Sequence, residues 1–187
     1  MNEAELEKIK IKALEEHIPI IMDDTLKVVG NLLGKIKPNA ILEIGTAVGY
    51  SAICFSKYLL DGGIIDTIER EHDRVEEAKR NTKLVDIADK INIIEGDAVE
   101  ILPTINKKYD AIFIDAAKGK YPFFLKEALR MIKENGVIFA DNILFMPEIH
   151  LSRTLLLHGT RPAAGHFLSG YICLLYTSPS PRDGLLS

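Results

Sequence analysis

Asp115, Asp141 and Asn142 close two short apolar runs, "DAIFID" (110–115) and "GVIFAD" (136–141), with Asn142 following directly. If these runs are neighbouring parallel strands, their ends lie roughly 5 Å apart. Two carboxylates that close repel each other unless a proton or a cation stands between them. Asp, Asp and Asn offer only hard oxygen donors, which suits Mg²⁺ or a similar hard divalent cation completed by water and substrate oxygens. Asp and Asn are also frequent turn formers after strands, but three such donors at two adjacent strand ends favour the metal. Lys118, three residues past Asp115, reaches the same crevice. Beside a metal-bound hydroxyl a lysine can act as general base or hold an oxyanion; spacing alone does not separate these roles from a solvated lysine. His17, His72, His150, His158 and His166 show no metal-binding or triad spacing.

A second set of residues suits a nucleotide-like ligand. In "EIGTAVGYS", Gly45 and Gly49 let a strand-to-helix turn run close beneath a ligand, because no side chain intervenes. This is not the G-x-G-x-x-G of a dinucleotide site, and the missing third glycine counts against a nicotinamide dehydrogenase. An acid, Glu43, two residues before Gly45 is what a cationic, amino-acid-bearing cofactor would want. Glu69 ends the next apolar run, where a carboxylate can accept two hydrogen bonds from a ribose diol; capping the helix that follows is its alternative role. Asp97, in "EGDAVE", is placed to receive an adenine amino group, or equally to cap a helix.

Positioning these residues requires strands that end together. The runs "AILEI" (40–44), "GIIDTIE" (63–69), "INIIE" (91–95), "DAIFID" and "GVIFAD" are short and rich in Ile or Val, as in a parallel sheet covered on both faces. Amphipathic stretches at 71–84 and 120–133 alternate with them. The latter carries Phe124, Leu125, Ala128, Leu129 and Ile132 on one face. Strand–helix alternation predicts a doubly wound α/β domain, in which ligands bind at the carboxyl ends of the strands, near the point where strand order reverses. Two further helices are predicted at about 3–17 and 23–35, split by Pro19.

A chain of 187 residues, 47% hydrophobic and 27% charged, suffices for one domain with a sizeable core. Its net charge of −4 gives no global basic field to advertise nucleic-acid binding. The local lysine pairs read as solvated helix faces or turns. Cys54 and Cys173 make neither a disulfide framework nor a metal motif. The charged opening "MNEAELEKIKIK" lacks a signal-peptide core, and no run of about 18 apolar residues offers a membrane span. A reducing, cytoplasmic setting without membrane contact is the expectation.

Taken together, "ILEIGTAVGYSA", "TIER", "EGDAVEILP", "YDAIFIDAAKGKYPFFL" and "GVIFADNILF" resemble the cation-dependent class I S-adenosylmethionine O-methyltransferases, which include the catechol and caffeoyl-CoA enzymes. Within that family, "HIPIIMDD" and "IDAAKGKY" most resemble the bacterial tRNA 5-hydroxyuridine methyltransferases. The resemblance implies a Rossmann-like sheet of order 3-2-1-4-5. It also implies S-adenosylmethionine and Mg²⁺ as cofactors, with Met22, Glu43, Gly45, Gly49 and Ser51 at the methionine end. Glu69 would hold the ribose, Asp97 and Ala98 would border the adenine, and Asp115 would line the cofactor as well as ligate metal. Asp115, Asp141 and Asn142 would be the metal ligands and Lys118 the catalytic base. Expected partners are tRNA or a small phenolic substrate (a catechol or an acyl-CoA phenol), with a homodimer as a further expectation. A truncated domain that binds cofactor without turnover is the reading from a different class.

The tail departs from this pattern. Residues 1–145 carry the methyltransferase signature and are expected to form a C-terminally truncated domain, whereas 146–187 have no clean period and end rich in Ser, Pro and Gly. "CLLYTSPSPRD" (173–183) resembles one reading frame of a sequencing adapter. The expectation is a non-native tail and a sheet lacking the family's last strands.

Overall fold

Every residue of β1 (Ala40–Ile44) is buried, as a strand at the centre of a two-faced sheet must be. The structure, a computed structural model, describes residues 1–115, 120–141, 155–159 and 171–176. Around β1 run β2 (Ile64–Glu69), β3 (Ile91–Glu95), β4 (Tyr109–Ile114) and β5 (Ile132–Asp141), all parallel, in the order β3-β2-β1-β4-β5. Strand order reverses beside β1, between its β2 and β4 edges, which places a ligand crevice above its carboxyl end.

Side chains alternate between the two faces. Ile41, Ile65, Phe113, Val137 and Phe139 face α1 (Glu3–Glu15), α2 (Asp23–Ile36) and α3 (Tyr50–Ser56). Leu42, Ile44, Ile68, Ile112, Ile114 and Ile138 pack with α6 (Tyr121–Met131) on the other. Two apolar layers explain why the strands read as continuous apolar runs rather than alternating ones. On the first face Phe55 meets Phe113 edge-on at 5.1 Å between ring centroids, and Phe113 meets Phe139 at 6.4 Å. That aromatic ladder ties α3 to β4 and β5.

The helices end where local chemistry dictates. Asn2 caps α1 by accepting the Glu5 N–H, and α2 stops at Lys37 in the left-handed conformation. α4 (His72–Leu84) falls within the predicted 71–84. α6 stops at Met131, short of the predicted 133, because Ile132 already pairs with Tyr109 as the start of β5. The pairing then breaks, resuming at Ala111 opposite Val137, with Asn135 at φ 63° in the interruption. The regular part of β5 is thus the run read from the sequence.

One expectation is corrected. The sheet does not stop at β5: β7 (Tyr171–Tyr176) pairs antiparallel with Val137–Asp141, and β6 (Leu155–Gly159) pairs antiparallel with β7. The full order is β3-β2-β1-β4-β5-β7-β6. The physical reason is that the buried strand β5 would otherwise carry an unpaired row of N–H and C=O groups. The short runs "LLLHG" and "YICLLY" are apolar enough to fill that place. Among the described residues, no helix is long and apolar enough to cross a membrane.

Candidate functional site

The turn leaving β1 is built to approach a ligand closely. Gly45 adopts φ 100° and donates its N–H to Ile68 O at 3.0 Å, while Ala47 and Gly49 also have positive φ. Gly49 is required for a second reason: a Cβ there would meet the Ala78 Cβ of α4 at 3.2 Å. Its missing side chain therefore serves helix packing, whereas Gly45 lines the cleft. Asn81 of α4 donates to Val48 O at 2.9 Å, which fixes the same turn from below.

Glu69 holds the turn from the side. Its Oε2 accepts the Ala47 N–H at 2.9 Å, and its Oε1 accepts the N–H groups of Arg70 (2.9 Å) and Glu71 (3.0 Å). It therefore supports the entry to α4 and also lines the cleft. With three donors already in place, one lone-pair direction remains, on Oε2, where the sequence reading expects two accepted bonds.

Glu43 lies one position before the end of β1 and is wholly buried. Ser51, in the first turn of α3, donates to its Oε1, and Thr67 donates to its Oε2. Thr67 has one proton and spends it on Glu43, so in the Thr46–Thr67 contact Thr46 is the donor. Burial pushes the Glu43 carboxyl up to about 7, against the hydrogen bonds from Ser51 and Thr67 and helped by the nearby charges of Asp115 and Glu69. Glu43 and Ser51 thus form one buried unit beneath the turn and do not line the cleft. Met22 stands at the N-cap of α2, half-exposed and likewise outside the lining.

Asp97 caps α5 (Ala98–Ile101), its Oδ1 accepting the Val99 N–H at 2.8 Å. Its Oδ2 takes the Lys120 ammonium at 3.2 Å. The cap and the ammonium hold this carboxyl below its ordinary value. Ala98 lines the cleft beside it.

Asp115 follows β4, its N–H bonded to Ile44 O at 3.0 Å. The register pairs Ile114 with Ala140, so Asp115 and Asp141 are the next positions along two hydrogen-bonded strands. That placement fits the chemistry of a hard cation between adjacent strand ends. Among the described residues no group of three His, Cys, Asp or Glu side chains is arranged to hold a metal. Lys118 and Asn142, named from the sequence as base and third ligand, lie outside the described residues.

The cleft of about 220 Å³ opens above the ends of β1, β2, β3 and β4. Glu69, Glu71, Asp97 and Asp115 line it together with Arg70 and Lys120, and Phe124 adds an apolar side chain. An excess of carboxylates there favours a ligand carrying positive charge. Sequence reasoning missed Thr67, Lys120, Arg70 and Gly96. Thr67 alone left a signal, since parallel register sets it directly beside Glu43.

A doubly wound sheet with a glycine turn after its first strand and a fixed carboxylate after its second defines a Rossmann-like nucleotide-cofactor domain. The chain belongs to the O-methyltransferase family, whose family model matches residues 3–152. It is similar to a catechol O-methyltransferase of Bos taurus, 30% identical over 126 residues, covering 64% of this chain and 46% of that protein. A catechol O-methyltransferase of Mycobacterium tuberculosis is 32% identical over 114 residues, covering 60% and 52% respectively. The chain thus spans about half the length of the curated relatives it matches. The crystal structure of the O-methyltransferase TomG of Streptomyces achromogenes, solved with SAM, superposes with a TM-score of 0.80. The two are 24% identical, and the match covers 95% of this chain and 92% of that one.

Proposed function

We propose that this protein transfers a methyl group from S-adenosylmethionine to a ring hydroxyl with a second oxygen beside it, assisted by a hard divalent cation. The observation that carries the reading is the acid-rich cleft at the strand ends, with Glu69 fixed by three backbone N–H groups at its rim. When bound, the cofactor supplies an electrophilic sulfonium methyl, and the cation lowers the pKa of the acceptor hydroxyl.

The chain's own residues bind, orient and move the proton. Glu69 accepts from the ribose, Asp97 with Ala98 borders the adenine, and the Glu43–Ser51 unit supports the turn under the methionine end. Asp115, Asp141 and Asn142 would hold the cation and Lys118 would take the hydroxyl proton. Much of the rate would come from holding oxygen and methyl in line.

Two acceptors have the required pair of oxygens. The stretches "HIPIIMDD" and "IDAAKGKY" support 5-hydroxyuridine in tRNA, and the names of the curated relatives support a small catechol. A transfer assay comparing hydroxyuridine-containing tRNA with caffeic acid separates them. Treatment with a chelator is expected to abolish transfer while leaving S-adenosylhomocysteine binding unchanged. Full transfer in chelator by an Asp141→Ala variant would remove the metal from this reading. Cofactor binding with no transfer to either acceptor would reduce the chain to a binding domain.

A further inference from the structure

Lys120 stands at the N-terminus of α6, and its ammonium donates to Asp97 Oδ2 at 3.2 Å. Asp97 does not need this contact to be oriented, since its Oδ1 already caps α5 through Val99. Lys120 therefore takes up Oδ2, the oxygen not used by the cap and the one that would meet an adenine amino group. Both residues line the cleft, and the pair is partly solvated, with side-chain exposures of 49% and 38%.

We propose that Lys120 is a positioning residue that sets cofactor affinity by competing for the Asp97 Oδ2, so that the adenine end of the ligand must displace it. The inference rests on reading the cleft as an adenosyl-cofactor site. A half-exposed ion pair is easily opened, and competition from it weakens binding by about two- to five-fold. It is also screened by salt, which supplies a readout that a purely structural lysine would not move.

The test is calorimetric titration of the full chain with S-adenosylhomocysteine, a ligand of no net charge, at low and high salt. For the unaltered chain, binding is expected to tighten about two- to five-fold as salt rises. Lys120→Met is expected to bind that much more tightly at low salt and to lose the salt dependence. Lys120→Arg, which keeps the charge, should restore both. Weaker binding by Lys120→Met, or a salt dependence equal to that of the unaltered chain, would overturn the role of Lys120 and leave the cofactor reading intact. No binding by the unaltered chain at either salt would overturn the cofactor reading, and this inference with it.

Discussion

Glu43 is the residue whose chemistry the fold alters most. Its folded-state value of about 7 lies above the ordinary carboxyl value, so the folded chain holds a proton that the unfolded chain releases. Stability from this group is full below about pH 4.5, declines as pH rises, and is lost by about pH 7. The difference across that window is up to about 3 kcal/mol. The expected result is that Glu43→Gln, unfolded in urea at pH 5 and pH 8, gains stability relative to the unaltered chain at the higher pH. His72, held above its ordinary value by Glu95, loses stability over a neighbouring range but does so equally in both proteins. An unchanged difference between the two pH values would show that Glu43 is ionised throughout. Asp66 behaves oppositely. Burial pushes its carboxyl up, but Lys107, Asn92 and Tyr109 together hold it below the ordinary value, so its contribution is lost only in acid.

At the scale of elements, the β1–α3 turn is the piece that a single methyl would disturb. Gly49→Ala places a Cβ in the left-handed region and against Ala78. The expected cost is about 1–2 kcal/mol, measured as a lower urea midpoint, with weaker S-adenosylhomocysteine binding because the turn and α3 shift together. Unchanged stability would mean that the turn relaxes freely. What was legible in the sequence follows from the same geometry. The residues at and just after the end of an apolar run mark a strand's carboxyl end, so Gly45, Glu69, Asp97 and Asp115 could be placed around one crevice from the sequence. The distinct tasks of Gly45 and Gly49 could not, because they depend on where α4 lies. Lys120 was hidden in a lysine pair that reads as a solvated turn, and its bond to Asp97 crosses between elements that no local pattern connects. The early start of β5 at Ile132 was invisible for a similar reason: it is set by pairing with Tyr109 of β4.

For the whole molecule, the sheet and the sequence pattern disagree about the tail. Read as sequence, 146–187 look foreign to the domain; in the fold, Tyr171–Tyr176 cover the edge of β5. The family match itself runs on to residue 152. These views make opposite statements about a chain ending at residue 160. If β7 holds the edge, that truncation exposes the N–H and C=O groups of Val137–Asp141. Aggregation on size-exclusion chromatography and loss of cooperative unfolding are then expected. A truncated chain that stays monodisperse and equally stable would mean the tail contributes nothing to the domain.

The three N–H groups on Glu69 belong to residues on two different loops, Ala47 after β1 and Arg70 with Glu71 after β2. One carboxylate therefore acts as a clasp between the crests of two strands. Its rotamer is frozen when the chain folds, so a ligand hydroxyl arriving at Oε2 meets an acceptor with no torsional freedom left to lose. The same clasp makes the amides of Ala47, Arg70 and Glu71 a linked set in hydrogen exchange, released together whenever the carboxylate swings away. Opening of the crevice and melting of its rim are, at this point in the molecule, one event.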